Sequence, residues 1–162
     1  MNAIIIAAGS GKRISEDVKS TPKSLINVNG KPIINHQIEV LKELGIEKII
    51  VITGKYSEKF TIKNIHYIKD KEYEKHDILG SLMEAKNLLN DDVIILYSDI
   101  IFETKIIQQT LNSKNDISIA VDPNWEKNYE GRTEHPKSEA ENVLINEKGK
   151  ILQIKKNIIN KN

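Results

Sequence analysis

The sequence predicts an α/β protein built on a mostly parallel sheet with helices on both faces. Three observations carry that expectation. Ile-rich runs such as Asn2–Ala8, Glu47–Thr53 and Val93–Tyr97 are continuously apolar rather than alternating, the mark of strands buried on both faces. Amphipathic stretches at helical spacing stand between them. Glycine, asparagine and proline punctuate the joins. Buried strands alternating with such helices imply βαβ units and three layers.

Taken in order, Asn2–Ala8 is the first strand and residues 9–21 form a polar loop. Ser24–Val28 is expected as a short strand, followed by the turn residues Asn29-Gly30-Lys31. Pro32 suits the first position of a helix, and Ile33, Ile34, Ile38, Leu41 and Leu44 keep helical spacing until Gly45. Glu47–Thr53 is the next buried strand, and Asn64–Ile68 a shorter one. Ile78–Leu89 reads as a helix with Leu82, Ala85, Leu88 and Leu89 on one face. Val93–Tyr97 is a strand that ends at Ser98-Asp99. Lys105–Leu111 is expected as a helix and Asp116–Val121 as a strand. Residues 123–141 are long, polar and irregular. Asn142–Ile145 and Lys150–Ile154 read as a hairpin around Glu147-Lys148-Gly149. With no repeat, linker or low-complexity block, residues 1–154 are expected as one domain and residues 155–162 as a polar tail.

Composition removes several classes of function. The chain has 162 residues, room for one ordinary domain. Its formal net charge is +1, without the basic excess that a dedicated nucleic-acid binder needs. No apolar run approaches the roughly 20 residues of a membrane helix. There are no cysteines, which excludes disulfides, thiolate catalysis and Cys-based zinc sites. A cytoplasmic protein is expected, with neither nucleic acid nor membrane as partner. Only two of the 24 basic residues are arginines, Arg13 and Arg132. Against a lysine-rich background, a retained arginine points to a need for its planar fork of donors.

In parallel α/β sheets ligands bind beyond the carboxyl ends of the strands, at a topological switch point. Two polar segments fall at such ends. Ala7-Ala8-Gly9-Ser10-Gly11-Lys12-Arg13 follows the first strand. Its glycines allow close backbone approach, and successive N–H groups in such a loop form an anion nest. The same residues also suit a plain strand-to-loop turn. The loop is neither a Walker A motif nor a dinucleotide fingerprint. Asp99 follows the strand Val93–Tyr97, where a carboxylate beside a phosphate loop suits Mg2+. It equally suits capping of the next helix. Lys23, in Thr21-Pro22-Lys23-Ser24-Leu25, is by itself one lysine among many.

The order and spacing of these segments resemble the nucleotidyltransferase superfamily of sugar-phosphate and phosphocholine transferases. The matching residues are Ala7, Ala8, Gly9, Gly11, Arg13, Pro22, Lys23 and Asp99, with Asn29-Gly30-Lys31-Pro32-Ile33-Ile34 as the helix opening. The resemblance implies a Rossmann-like α/β/α fold and transfer of a nucleoside monophosphate from an NTP to a phosphate or phosphonate, releasing pyrophosphate. It implies that Arg13 and Lys23 are catalytic, and that Ala7, Ala8, Gly9, Ser10 and Gly11 hold the nucleotide. It implies that Asp99 binds Mg2+. Asp77–Leu82 falls where such proteins place a loop beside the base, so Gly80 and Ser81 are further nucleotide candidates. On residues alone that segment also reads as a helix start capped by Asp77.

Residues 121–141, above all Gly131-Arg132-Thr133-Glu134-His135-Pro136-Lys137-Ser138-Glu139-Ala140-Glu141, look like the acceptor-binding insertion of the cytidylyltransferases of phosphonate pathways, found alone or fused to phosphoenolpyruvate mutase. Asp122, Trp125, Tyr129, Arg132 and His135 are the implied acceptor residues. The two aromatics also suit anchoring of a long loop. The implied reaction moves CMP from CTP to a small phosphonate or phosphocholine-like acceptor. The alternatives are a sugar-1-phosphate nucleotidyltransferase and a nucleotide-binding module without turnover. The last is raised because the second metal Asp of such enzymes has no counterpart after residue 122, and the chain is expected to be C-terminally incomplete against them. The expected partners are CTP, the acceptor, and a second copy or a phosphoenolpyruvate mutase pathway protein.

Overall fold

The Ile-rich opening run becomes β1 (Asn2–Ala7), buried along its whole length at the centre of a sheet. The computed structural model describes residues 1–9, 20–132, 136–156 and 158. It divides into two compact units, Met1–Asn112 and Ser113–Asn162.

In the first unit β1 pairs in parallel with β4 (Ile49–Thr53) on one side and β6 (Val93–Tyr97) on the other. β5 (His66–Lys69) extends the sheet beyond β4, giving the order β5-β4-β1-β6, all parallel. Helices cover both faces, and so the central strands carry no polar alternation. On one face Ala3, Ile5 and Ala7 pack with Ile34, Ile38 and Leu41 of α1 (Ile33–Glu43) and Ile107 of α3 (Thr104–Leu111). On the other, Ile4, Ile6, Ile50 and Ile52 meet Ala85, Leu82, Leu88 and Leu89. Each fully buried Ile contributes about 1.5–3 kcal/mol of burial free energy. The expected three-layer α/β/α architecture is therefore present. Because the chain runs from β1 outward to β5 and then returns to the far side of β1, the switch point lies between β1 and β6.

Three expected elements differ in detail. In place of a strand over Ser24–Val28, Lys23–Leu25 forms a 3-10 turn, because the Leu25 N–H donates to the Pro22 carbonyl at 2.9 Å. Only β2 (Asn27–Val28) is extended. It pairs antiparallel with β3 (Lys31–Pro32) across Asn29 and Gly30, both at positive φ (51° and 86°), as a two-residue hairpin turn requires. The helix expected over Ile78–Leu89 stops as α2 (Ile78–Met83), and the chain tightens to i→i+3 bonds through a 3-10 turn at Lys86–Leu88. Its apolar face is the expected one.

The second unit holds β7 (Glu141–Ile145) and β8 (Ile151–Lys156), an antiparallel hairpin. Asn146 Oδ1 closes its turn by accepting from the Lys148 and Lys150 N–H groups. β8 runs two residues into the expected tail. Residues 123–141 carry two 3-10 turns, Trp125–Tyr129 and Lys137–Glu139. The strand expected over Asp116–Val121 is absent. Ser113 Oγ instead accepts from the Asn115 amide and the Ser118 hydroxyl, local bonds that compete with a ladder, and Ile117 remains 80% exposed. Among the described residues no helix is long and apolar enough to cross a membrane.

Candidate active site at the sheet switch point

The register of β1 against β6 ends at Ile6 opposite Tyr97, so Ala8-Gly9 and Ser98-Asp99 leave the sheet side by side. Lys23 reaches the same place. Its Nζ lies 3.4 Å from Asp99 Oδ2, with both side chains partly exposed. Ala7 and Ala8 are buried and Gly9 is exposed. The start of the loop after β1, Lys23 and Asp99 thus lie at one corner of the sheet. Ser10, Gly11 and Arg13 lie outside the described residues. Asp99 does not cap α3, which starts at Thr104 behind Glu103.

Two residues not foreseen from the sequence shape this corner. Gln37, on α1 and buried, donates its Nε2 to the carbonyls of Tyr97 and Ile100, at 2.7 Å each. Gly54 follows β4, and a Cβ there would lie 2.6 Å from the Ala8 carbonyl oxygen. Only glycine lets the end of β4 pass the start of the Gly9 loop at that distance. The abrupt Thr53-Gly54 stop after an apolar run was the available signal; nothing comparable marks Gln37.

Beyond β5 a second polar cluster forms around Asp70, which is fully buried. Its carboxylate accepts from the Glu72 N–H at 2.9 Å, from the Ser81 hydroxyl at 2.8 Å, and from His76 Nδ1 at 3.0 Å. Ser81, expected beside a base, is therefore buried with its hydroxyl proton spent on Asp70. The Gly80 N–H donates to the Asp77 cap, and the Ser81 N–H to the Asp77 carbonyl. The segment is thus a helix start capped by Asp77. Gly80 has a packing reason of its own, since a Cβ there would meet the His76 ring at 3.0 Å.

Among the described residues, two places offer metal ligands. Asp70, His76 and Glu84 bring one ligand atom each within 4.8 Å. Hydrogen bonds already engage both Asp70 oxygens there, which makes it a structural network. Asp99 is the exposed carboxylate at the switch point. A single carboxylate fits a hard cation such as Mg2+, which completes its shell with water and phosphate oxygens.

In the second unit the acceptor candidates form a cluster of their own. Asp122 accepts from the Asn124 N–H and from Asn128 Nδ2. Trp125 and Tyr129 pack edge to face at 5.5 Å. The Arg132 guanidinium lies 4.9 Å over the Tyr129 ring, so one face of that ring is taken by this chain's own cation. His135 lies outside the described residues.

A family model for the MobA-like NTP transferase domain matches residues 3–138. The CTP:phosphoglutamine cytidylyltransferase of Campylobacter jejuni subsp. jejuni serotype O:2 is 32% identical over 158 residues, 90% of this chain and 62% of that protein. A bifunctional sugar-1-phosphate nucleotidylyltransferase/acetyltransferase of Sulfurisphaera tokodaii is 33% identical over 133 residues, 80% of this chain and 32% of that protein. Among solved structures, a CTP:phosphocholine cytidylyltransferase from Streptococcus pneumoniae superposes with a TM-score of 0.58 at 34% identity, over 64% of this chain and 49% of that one. The chain thus spans less than two thirds of the length of each of these relatives.

Proposed function

The chain belongs to the MobA-like NTP transferase domain family, and from that premise we propose that it transfers CMP from CTP to a small acceptor bearing a phosphate or phosphonate, with release of pyrophosphate. The observation that carries this reading is the Lys23–Asp99 pair at the β1–β6 switch point, beside the start of the Gly9 loop. CTP is the chosen donor because the relative similar over 90% of this chain and the solved neighbour are both CTP enzymes.

An acceptor oxygen attacks the α-phosphorus, the bond from that phosphorus to the bridging oxygen breaks, and pyrophosphate leaves with the electron pair. Catalysis of this kind is positioning plus neutralisation of charge, and it needs no protein nucleophile. The Gly9–Gly11 amides and Arg13 hold the triphosphate. Lys23 neutralises charge at the α-phosphate and the incoming acceptor. Asp99 would hold Mg2+, which when bound supplies further neutralisation of the polyphosphate. Arg132 grips the acceptor's phosphate or phosphonate, with Asp122, Trp125, Tyr129 and His135 around the rest of that molecule. A second copy of the chain, or a phosphoenolpyruvate mutase pathway protein, remains the proposed protein partner.

Pyrophosphate release with a panel of NTPs and acceptors tests the reading. The expected result is turnover with CTP and either 2-aminoethylphosphonate or phosphocholine. Turnover with a sugar 1-phosphate alone moves the chain to the sugar branch, which the Sulfurisphaera relative favours. Tight binding of Mg·CTP without release under any acceptor makes it a binding module.

A further inference from the structure

We infer that Gln37 is the positioning residue that holds the Asp99 segment in its metal-binding geometry; the inference rests on the role given to Asp99 above. Asp99 is exposed and sits in the irregular stretch between β6 and α3, where its side chain meets Lys23. Both N–H groups of the Gln37 amide are donated to carbonyls on either side of it, Tyr97 O before and Ile100 O after, at 2.7 Å each. One planar amide therefore clamps the two ends of a four-residue segment with Asp99 inside it.

The carbonyl end of the same amide gives the stronger argument. Gln37 Oε1 is buried and has no hydrogen-bond partner among the described residues. A buried unpaired carbonyl is destabilising, and an apolar side chain on this face of α1 would avoid it. The neighbours Ile34, Ile38 and Leu41 are apolar. An amide at position 37 thus costs the core something and returns two bonds, both to the segment that carries Asp99. The other member of the site is tied to the same helix, because the Ile33 N–H at the start of α1 donates to Ile26 O, just past the Lys23–Leu25 turn. α1 is therefore the common reference for Lys23 and Asp99, with Gln37 as its contact to the acid.

The test titrates the full chain with Mn2+ in the presence of CTP and reads protein-bound Mn2+ by electron paramagnetic resonance, beside a thermal melt of each variant. Gln37→Met keeps the length and removes the clamp. The expected result is a Mn2+ dissociation constant raised roughly 10- to 100-fold, the usual effect of losing a group that orients a metal ligand. Leu41→Ala, in the same helix but away from the segment, should lose at least as much melting temperature and leave the dissociation constant unchanged. Wild-type Mn2+ affinity in Gln37→Met overturns the inference, and so does an equal loss in Leu41→Ala. If Gln37→Met does not fold, Gln37→Asn, whose amide is one methylene short of the carbonyls, makes the same test. Mn2+ bound equally by wild type and Asp99→Asn would sink the metal reading of Asp99 itself. Loss in Asp99→Asn together with wild-type binding in Gln37→Met sinks only the role of Gln37.

Discussion

An exposed lysine–carboxylate pair 3.4 Å apart does little for stability, about 0–1 kcal/mol. Lys23 and Asp99 are thus held together at the switch point with small consequence for folding, and their removal should separate function from fold. Asp99→Asn is expected to abolish metal-dependent pyrophosphate release while changing unfolding free energy by no more than ~1 kcal/mol. Unchanged turnover across a Mg2+ titration would remove Asp99 from the metal site. Arg132 makes a different argument. Its guanidinium lies over the Tyr129 ring, and a lysine in its place loses the bidentate fork of donors. Arg132→Lys should raise the acceptor KM more than the CTP KM; equal effects on both would reassign the residue. Asp99 was legible in the sequence because its position after a strand and its charge type both mark it, whereas Lys23 stood out only through the family resemblance. Gln37 and Asp70 were not legible, since a buried amide or acid is identified by its partners, and Gln37 finds its own 60 and 63 residues away.

At the scale of elements, the apolar period placed Val93–Tyr97 to the residue and β1 and α1 to within a residue or two, because burial on a sheet face or a helix stripe is a local property of the pattern. It failed over Asp116–Val121, where alternation describes what a strand would bury but supplies no neighbour to pair with. Contacts between element ends were equally hidden, and Gly54 is the sharpest case. Gly54→Ala drives a Cβ against the Ala8 carbonyl, and a backbone atom cannot swing aside as a side chain can. Overpacking of this kind typically costs 1–3 kcal/mol, roughly the loss expected in urea denaturation, along with weaker CTP binding. Wild-type values in both would mean that the ends of β1 and β4 have slack. A second element-level expectation concerns β5. Tyr67 lies beside Phe60, its hydroxyl donating to Ile62 O and accepting from Ile62 N–H, and burial pushes its pKa above the usual tyrosine value. The folded chain favours the neutral phenol. Its contribution is therefore complete below pH ~10 and is lost as pH rises through the elevated folded value. Denaturation series at rising alkaline pH should show stability falling there, with a shallower fall in Tyr67→Phe. Identical slopes would show that Tyr67 does not govern that limb.

For the whole molecule, the strand order β5-β4-β1-β6 makes one corner of the sheet the natural ligand site, and the nucleotide candidates Ala7, Ala8, Gly9, Lys23 and Asp99 all belong to Met1–Asn112. Asp122, Trp125, Tyr129 and Arg132 all belong to Ser113–Asn162. If donor and acceptor are recognised by separate compact units, each ligand should leave its own footprint. Hydrogen exchange on the full chain with Mg·CTP should slow amides at the carboxyl ends of β1 and β6, with residues 113–132 unchanged. Phosphocholine or 2-aminoethylphosphonate should slow amides around 122–132 instead. Mg·CTP at about 100 times its dissociation constant should also stabilise the fold by about 2.7 kcal/mol, read as a higher melting temperature that Asp99→Asn does not show. Protection of 122–132 by Mg·CTP alone would contradict this division of labour. It would place Arg132 on the triphosphate, where its bidentate fork would hold CTP rather than the acceptor.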